Sequence, residues 1–243
     1  MSENHASNKP GTLGEHAVVI GGSIAGLLTA RVLSDYFVRV TIFEADTPPD
    51  KAVPRKGVPQ ENHNHGLLSG GAAVLCKYFL RIHDDLIAAG VDYGDPMQKW
   101  RMLLGGTWIP RTTSGMKSYV MSRPLLEATV RKHTLAIPNI ELHTASAVSG
   151  YASNDANTIV TGVTLEASGE HIAADFVADV SGRNSKASEW IKQMGFTPPP
   201  RSNIGIDVGY TTFEVAEPPN YQRDWNMIFT TQQSMPRDTR GGG

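Results

Sequence analysis

The N-terminal part of the chain alternates between short apolar runs, a glycine-rich turn and a helical pattern. An apolar run at residues 16–20 (HAVVI) is typical of a strand that is buried on both faces of a parallel sheet, and it leads straight into GGSIAG at residues 21–26. The following LLTARVLSDYF has apolar residues at helical spacing, and a second β-rich run occupies residues 38–46. This order predicts one βαβ unit.

Helical and strand-like patterns share the middle of the chain. Residues 66–90 have apolar positions at helical spacing and predict a helix with Gly90 as its C-cap. Residues 97–121 contain short β-like pieces around glycines. Ser122, followed closely by a proline, is typical of a helix N-cap, and we expect that helix to run to about His133.

The second half of the sequence is mostly β-like. Residues 140–180 contain three runs separated by SNDAN and ASGE, which are turn signals, and we expect an antiparallel stretch over residues 140–176. A helix is predicted near residues 185–194. Two further strand-like runs occupy residues 204–215 and 224–233.

Composition narrows the class of protein. The chain has 243 residues, 40% of them hydrophobic, which is enough for one large domain or two small ones with a sizeable core. Its charged fraction of 19% argues against a disordered chain, and its net charge of −2 removes the electrostatic basis of a nucleic-acid binder. We therefore expect a globular protein with no nucleic-acid partner.

The sequence contains few features that indicate a cellular compartment or a membrane-spanning segment. Cys76 is the single cysteine, so the chain forms no intrachain disulfide and no cysteine-based zinc site, and a reducing, cytoplasmic location fits it. No apolar run approaches the length of a membrane span, and the polar N-terminus lacks the apolar core of a secretory signal. We expect residues 1–15 to form a disordered tail.

The glycine-rich turn carries the candidate chemistry. The diphosphate of a nucleotide needs backbone N–H donors, close approach and the positive end of a helix dipole, and such a turn offers all three. Gly21 would make the tight turn and Gly26 the close packing of helix on strand. Ser23 replaces the second glycine of G-x-G-x-x-G with a small hydroxyl that is able to face a phosphate. Glu44, at the end of the second strand, is placed to accept hydrogen bonds from ribose hydroxyls. The alternative is a plain strand–helix turn that binds nothing.

Five segments occur in the order seen in FAD-dependent monooxygenases: VVIGGSIAGLLTARVL, FEAD, RKGVPQENHNHGLL, MSRPLLEATVR and ADVSGRNSKASEW. A plain NAD domain would instead continue with alternating helices and parallel strands. Over residues 17–195 the chain resembles the p-hydroxybenzoate-hydroxylase-like flavoprotein superfamily. Within that superfamily it is most similar to bacterial oxidoreductases of the epoxidase or hydroxylase type.

The resemblance implies a set of cofactor-binding residues. They are Gly21, Gly22, Ser23, Ile24, Ala25 and Gly26 at the FAD diphosphate, Glu44 at the adenosine ribose with Ala45 beside it, Arg55 and Arg123 near the flavin and its phosphates, Val148 at the adenine through its backbone, and Asp179 in a second nucleotide-facing turn. Arginine suits a phosphate because its guanidinium is planar and always charged. From the residues alone, three alternatives stay open: a solvated loop cation at Arg55, an Arg123 that only caps its own first helical turn through its neighbours, and a simple turn at Asp179.

The resemblance also implies the fold class and the domains. The expected fold is α/β: a Rossmann-like FAD-binding domain, built from a βαβ unit and an antiparallel β-meander crossover, with part of a β-rich substrate domain. We expect the FAD-binding domain to comprise residues 16–95 and 122–198, and the partial substrate domain to comprise residues 96–121 and 199–243.

The implied function is that of an FAD-dependent monooxygenase. By resemblance, NAD(P)H reduces the FAD, the reduced flavin and O2 form a C4a-hydroperoxide, and one oxygen atom passes to a small organic substrate by hydroxylation or epoxidation. Because the flavin carries this chemistry, we assign no catalytic acid or base to the chain.

One segment of the family is missing after residue 203. Family members carry a further Gly-Asp motif whose aspartate binds the ribityl chain of FAD, and residues 203–243 contain none. We therefore expect a C-terminally truncated chain with weak FAD retention and little turnover.

The alternatives are a related FAD-dependent reductase or halogenase, a nucleotide-binding remnant without catalysis and, as a fallback, an NAD-dependent dehydrogenase. The halogenase motif W-x-W-x-I-P is absent, because Trp108 stands alone before Ile109 and Pro110.

His63 and His65 form an H-x-H pair. No third ligand follows at a suitable spacing, so we expect no metal site. The resemblance places this segment beside the isoalloxazine ring, and two surface-loop histidines are the alternative.

Overall fold

The structure is a computed structural model that describes residues 13–55, 58–206, 209–231 and 241–242. Most of the predicted N-terminal tail, residues 1–12, lies outside the described residues. The first strand already begins at Gly14, so the predicted tail of 1–15 is too long at its C-terminal end. The reason is pairing with residues that are distant in the sequence: Gly14 pairs with Phe37, and the N–H of Glu15 donates to the Asp175 carboxylate over 2.7 Å.

The described residues contain strands in both halves of the chain and α-helices between some of them. The strands are β1 (Gly14–Ile20), β2 (Phe37–Phe43), β3 (Asn64–Leu67), β4 (Asp92–Gly94), β5 (Trp100–Leu104), β6 (Thr107–Trp108), β7 (Ser118–Ser122), β8 (Ile140–His143), β9 (Val148–Ser153), β10 (Val160–Leu165), β11 (His171–Ala173), β12 (Phe176–Asp179) and β13 (Met227–Thr230). The α-helices are α1 (Ile24–Leu33), α2 (Ser69–Tyr78), α3 (Ile82–Ala88), α4 (Pro96–Lys99), α5 (Arg123–Leu135) and α6 (Ala187–Gln193).

The chain divides into two compact units. The first unit is Met1–Gly57 with Glu127–Asp207, and the second is Val58–Leu126 with Val208–Gly243. The FAD-binding domain and the partial substrate domain that the sequence predicts are defined by the ligands that they would bind. These two domains therefore stay a prediction. The units divide the chain at other points because β3 and β4 both pair with β7 and therefore belong to the second unit.

The first unit contains a four-stranded sheet in the order β12-β1-β2-β8, in which every pairing is parallel. Strand β1 lies in the interior of this sheet, and its Val18 is opposite Val177 on one side and Thr41 on the other. Val18 and its neighbours are fully buried, as the continuous apolar run predicted. With α1 connecting β1 to β2, the predicted βαβ unit is confirmed.

The second layer of the first unit is an antiparallel sheet of β9, β10 and β11, which confirms the predicted β-meander crossover. The predicted antiparallel stretch over residues 140–176 is wrong at both ends. Strand β8 pairs parallel with β2, and β12 pairs parallel with β1. The connections before these two strands explain their direction. Helix α5 leads into β8, and the antiparallel sheet leads into β12. Each crossover brings the chain back to the sheet, so that the new strand runs parallel to its neighbour.

A shared core joins these layers within the first unit. It consists of the buried side chains of Val18, Ile20, Phe43, Val163, Ala174 and Trp190. Trp190 comes from α6, and its ring meets the ring of Tyr151 edge-on at 4.9 Å between centroids. The meander and α6 therefore cover one face of the parallel sheet that carries the glycine-rich turn.

The second unit contains two three-stranded sheets, β3-β7-β4 and β13-β5-β6. The single helix predicted over residues 66–90 is wrong: the chain forms β3 and then two helices, α2 and α3. The helix is interrupted because Phe79 takes an extended conformation, and the buried Phe79 and Ile82 anchor the chain on either side of the break. Gly90, with a φ of +81°, ends α3 as predicted. Within the described residues, no helix is long and apolar enough to cross a membrane.

The C-terminal part of the chain departs from the prediction in one run. Strand β13 lies within the predicted run at 224–233 and pairs parallel with β5. The predicted strand at 204–215 is wrong for its described residues, 204–206 and 209–215, which form no strand. Ile204 and Phe213 are 89% and 83% exposed. A strand needs a neighbour for its backbone groups, and these residues pair with none in the described part of the chain.

Candidate cofactor site

The turn after β1 depends on glycine at its first position. Gly21 has a φ of +104°, a conformation that residues with a Cβ rarely adopt, and a Cβ there would lie 3.0 Å from the carbonyl oxygen of Val180. Its N–H donates to the carbonyl of Phe43 over 2.8 Å, so the turn is fixed to the end of β2. The predicted tight turn at Gly21 is confirmed.

The close packing of α1 on this turn depends on Gly26. A Cβ on Gly26 would lie 1.7 Å from the carbonyl oxygen of Gly21, a distance that no side chain tolerates. The helix therefore starts directly against the turn, as the spacing of the two glycines predicted.

The N-terminus of α1 is open to an anion. Ser23 is the N-cap, and within the described part of the chain its side chain makes no capping hydrogen bond. Ile24, Ala25 and Gly26 form the first turn, which contains no acidic residue, and N–H groups at these positions have no acceptor inside a helix. The positive end of the helix dipole adds to their attraction for a negative charge.

The Ser23 hydroxyl has a partner within the protein, and its contact with a phosphate stays a prediction. It donates a hydrogen bond of 2.9 Å to Oε2 of Glu127, a buried residue of α5. The backbone of the turn, rather than the Ser23 side chain, therefore presents the donors.

Glu44 closes the other side of the turn. This buried residue follows β2, and its Oε2 accepts a hydrogen bond of 2.6 Å from the N–H of Gly22. Its Oε1 accepts a second hydrogen bond of 3.0 Å from the N–H of Asp46. Each carboxylate oxygen has a further lone pair, so Glu44 is held in place and keeps acceptor capacity for hydroxyl groups. Ala45, next in the chain, is exposed.

Arg55 is buried among carboxylates. Its side chain is 9% exposed, and Nη2 lies 3.0 Å from Oε1 of Glu127. Its Nη1 lies 3.8 Å from Glu44 Oε2 and 3.9 Å from Asp46 Oδ2. The alternative of a solvated loop cation is therefore wrong, because these acidic side chains draw the guanidinium inwards.

Glu127 and Arg131 belong to this cluster, and neither was predicted from the sequence. Arg131 Nη2 donates to Oε1 of Glu127 over 2.9 Å, and its Nη1 donates to the carbonyl of Pro49 over 3.0 Å. Their spacing of four residues in a predicted helix was the available signal. That spacing is also typical of exposed helix faces, so it did not point to a buried cluster.

Asp179 holds the neighbouring turn. Its Oδ1 accepts a hydrogen bond of 3.0 Å from the N–H of Ser181, and its Oδ2 accepts one of 2.7 Å from the Ser185 hydroxyl. A Cβ on Gly21 would lie 3.2 Å from the Ser181 nitrogen, so this turn borders the glycine-rich one. Burial, together with the charge of Asp179, raises the pKa of Tyr151 to about 12.

The remaining predicted residues are spread more widely. Val148 begins β9 and packs against the core of the first unit. Arg123 is the first residue of α5 and belongs to the second unit. The N–H of Leu125 donates to the Ser122 hydroxyl oxygen over 3.4 Å, so Ser122 caps this helix as predicted.

The histidine pair lies in the second unit. His63 Nδ1 is 2.8 Å from the Thr212 hydroxyl, and His65 Nδ1 donates to the carbonyl of His63 over 2.8 Å. In the described ranges, no three His, Cys, Asp or Glu side chains are grouped as a metal site would need.

Three known proteins are similar to this chain. Protein Rv3254 of Mycobacterium tuberculosis (strain ATCC 25618 / H37Rv) is 33% identical over 216 residues, which are 84% of this chain and 45% of that protein. PqsL, a probable FAD-dependent monooxygenase from Pseudomonas aeruginosa, superposes with a TM-score of 0.56 at 14% identity, over 78% of this chain and 48% of that one. The p-nitrophenol 4-monooxygenase PnpA from Pseudomonas putida DLL-E4 superposes with a TM-score of 0.53 at 22% identity, over 73% of this chain and 43% of that one. Over these residues the chain shares the fold of PqsL and PnpA.

The shared fold confirms the predicted α/β class, with a βαβ unit, a meander crossover and a second, β-rich unit. No family model matches the chain. The chain spans less than half the length of each of these three proteins, at 45%, 43% and 48%. Within this fold, the glycine-rich turn, Glu44, Arg55 and the Asp179 turn lie in one unit.

Proposed function

We propose that this chain forms the FAD-binding part of a flavin-dependent monooxygenase. The observation that carries the proposal is the hydrogen bond of 2.6 Å from the Gly22 N–H to Glu44 Oε2. It brings a fixed carboxylate to the edge of an open helix N-terminus, which is the arrangement that a ribose followed by a diphosphate requires.

The residues of the turn fit a dinucleotide. A Cβ on Gly22 would lie 2.9 Å from the Glu44 Cβ, so a side chain there would fill the space between the turn and the carboxylate. The first-turn N–H groups of α1 supply donors for the diphosphate, and Glu44 supplies acceptors for ribose hydroxyls. A carboxylate at this position also repels a phosphate on the 2′ oxygen, which favours FAD over a 2′-phosphorylated nucleotide.

In this proposal the chain binds and orients the cofactor. FAD, when bound, supplies the electron transfer and the activation of O2. Glu44 fixes the ribose, the α1 N-terminus fixes the diphosphate, and Arg55 offsets the acidic charge of the cluster. Asp179 keeps the adjoining turn in place, and the Val148 backbone would contact the adenine.

NAD(P)H as the reductant, O2 as the co-substrate and a small organic molecule as the substrate belong to the same proposal. Their support is the order of five sequence segments together with the fold that the chain shares with PqsL and PnpA. The cytoplasmic location suggested by the single cysteine stays a prediction.

The fallback of an NAD-dependent dehydrogenase fits the structure less well. Such a domain would continue from β8 with alternating helices and parallel strands. The chain instead forms the antiparallel sheet of β9, β10 and β11 before β12 completes the parallel sheet.

The proposal is tested by ligand choice followed by redox chemistry. The purified chain is titrated with FAD and with NAD+, and the flavin fluorescence and the protein fluorescence are recorded. We expect saturable binding of FAD that ADP competes away, and no comparable binding of NAD+.

NAD(P)H oxidation is then measured with FAD present, under air and without oxygen, with candidate aromatic and alkene substrates. Binding of NAD+ in place of FAD would overturn the proposal, and substrate-stimulated oxidation only under air would identify a monooxygenase.

A further inference from the structure

A buried carboxylate with no assigned role in the proposed cofactor chemistry lies beside the glycine-rich turn. Glu127 is 1% exposed. Its Oε2 accepts a hydrogen bond of 2.9 Å from the Ser23 hydroxyl, and its Oε1 lies 2.9 Å from Arg131 Nη2 and 3.0 Å from Arg55 Nη2. A charge is buried at high cost unless it is paired, and the two guanidinium groups provide that pairing.

Glu127 connects three segments of the first unit. Ser23 belongs to the turn before α1, Arg55 to the loop after β2, and Glu127 itself to α5. Arg131 extends the connection, because its Nη1 donates to the carbonyl of Pro49 over 3.0 Å. One carboxylate therefore helps to fix the loop and the turn against the same helix.

The contact with Glu127 changes what Ser23 does. A serine at an N-cap normally accepts a hydrogen bond from an N–H group of the first helical turn. In the described part of the chain the Ser23 side chain makes no such bond, and its hydroxyl donates to Glu127 instead. A carboxylate only accepts, so it fixes the direction of the Ser23 hydroxyl.

We propose that Glu127 is a positioning residue of the cofactor site: it holds the Ser23 hydroxyl away from the first turn of α1 and so keeps the N–H groups of that turn open to a diphosphate. This inference rests on the proposed function, because the diphosphate is that of the proposed cofactor.

Charge alone predicts the opposite effect for a substitution of Glu127. A carboxylate near a diphosphate repels it, so removing the negative charge should tighten binding if Glu127 acts only through its field. If Glu127 acts by holding Ser23, its removal frees the hydroxyl to cap α1, and the cap competes with the diphosphate. The direction of the change in affinity therefore separates the two roles.

The test is a calorimetric titration with ADP, which carries the diphosphate and the ribose without the flavin. Four proteins are compared: the wild type, Glu127→Leu, Ser23→Ala and the double variant. Leucine removes the charge and every acceptor oxygen, so the Ser23 hydroxyl loses its partner. A serine cap contributes typically about 1 kcal/mol, so we expect Glu127→Leu to weaken ADP binding about fivefold. In the Ser23→Ala background the same substitution should change the affinity by less than about twofold, because no hydroxyl is left to cap the helix.

Two further variants serve as controls. Glu127→Asp keeps the charge but shortens the side chain, so it loses the reach to Ser23 and should weaken ADP binding as Glu127→Leu does. Glu170→Gln removes an exposed carboxylate of the β10–β11 turn and should leave the affinity unchanged. Circular dichroism and thermal unfolding verify that each variant is folded.

The outcomes are distinct. If the wild type binds neither ADP nor FAD, the proposed function fails. If the wild type binds ADP but Glu127→Leu binds it equally or more tightly, only the positioning role fails. A loss that persists in the Ser23→Ala background also overturns that role, as does the failure of both Glu127 variants to fold, since Glu127 would then be a structural residue.

Discussion

Glu44 and Gly22 are joined by a hydrogen bond of 2.6 Å, in which the Gly22 N–H donates to Oε2 of Glu44. The bond links the carboxyl end of β2 to the turn between β1 and α1. A Cβ on Gly22 would lie 2.9 Å from the Glu44 Cβ, so the contact requires the missing side chain of glycine. The acidic residue and the glycine-rich turn therefore form one site.

Replacement of Glu44 by glutamine tests the ribose contact. Glutamine keeps the size of the side chain but loses the charge and one acceptor oxygen, and hydrogen bonds to charged groups contribute about 1.5–3 kcal/mol. We expect the dissociation constants for FAD and ADP to rise at least about tenfold, since that factor corresponds to about 1.4 kcal/mol. Fluorescence titration measures the change, and Glu170→Gln is the matched control. An unchanged affinity would place Glu44 outside the binding site.

Replacement of Gly26 by alanine tests the packing of α1 on the turn. The new Cβ would lie 1.7 Å from the Gly21 carbonyl oxygen, so the helix must move. Overpacking of this kind costs about 1–3 kcal/mol, and we expect urea unfolding to show a loss in that range. Gly70→Ala is the control, because nothing lies within 4 Å of a Cβ at that position of α2. The idea fails if Gly26→Ala is as stable as Gly70→Ala.

The stability of the first unit should depend on pH through His16. Burial first, and then the charge of Arg39, lowers the pKa of His16 below 6.5. Its Nδ1 donates to the carbonyl of Ala173 over 2.7 Å, so the neutral ring accepts from the Thr41 hydroxyl at Nε2 over 2.8 Å. In the unfolded chain His16 takes up a proton as the pH falls through 6.5, whereas the folded chain resists protonation. The free energy of unfolding should therefore decrease as the pH falls below 6.5.

The contribution of His16 is isolated by comparing two variants. Urea unfolding between pH 5 and pH 8 should give a shallower pH dependence for His16→Gln than for the wild type, while His171→Gln, which changes an exposed histidine, should keep the original slope. Equal slopes in all three proteins would exclude His16 as the source.

Asp95 should stabilise the second unit down to low pH. The carboxylate accepts hydrogen bonds from the N–H groups of Met97, Ser114 and Gly115 at 2.7–2.9 Å and one from the Ser114 hydroxyl at 2.6 Å. The Ser114 hydroxyl, with these N–H groups, lowers the pKa of Asp95 to about 2. Its contribution is present above pH 3.8 and is lost as the pH falls towards 2, because protonation removes the acceptor.

Thermal unfolding at pH 7 checks this role of Asp95. Asp95→Asn should unfold at a lower temperature than the wild type, because an amide accepts fewer of these hydrogen bonds. Asp92→Asn, at an exposed position of β4, should match the wild type. A normal unfolding temperature for Asp95→Asn would show that the loop around Ser114 is held by other contacts.

Much of the first unit could be predicted because its signals are local. The buried strand β1, the φ of Gly21 and the close approach at Gly26 follow from short-range sterics, and the residue types reveal them. The pairing of β8 and β12 in the parallel sheet was not predicted, because strand direction depends on crossovers that span many residues.

The candidate cofactor site was also predicted only in part, because only some of its signals are local in the sequence. Glycine and glutamate at fixed spacing indicate a nucleotide turn, so Gly22 and Glu44 were found together. The contact between Glu127 and Ser23 was not predicted, because it joins residues 104 positions apart. The pattern of residues 204–206 and 209–215 is typical of a strand. The sequence does not show that these residues have no strand partner in the described part of the chain.

The decisive measurement is a calorimetric titration of the folded wild-type chain with FAD, followed by ADP. We expect saturable binding of one FAD per chain, competition by ADP, and at least about tenfold weaker binding of both ligands by Glu44→Gln. A chain that is folded by circular dichroism and releases no binding heat with either ligand would show that the glycine-rich turn and Glu44 do not form a flavin nucleotide site.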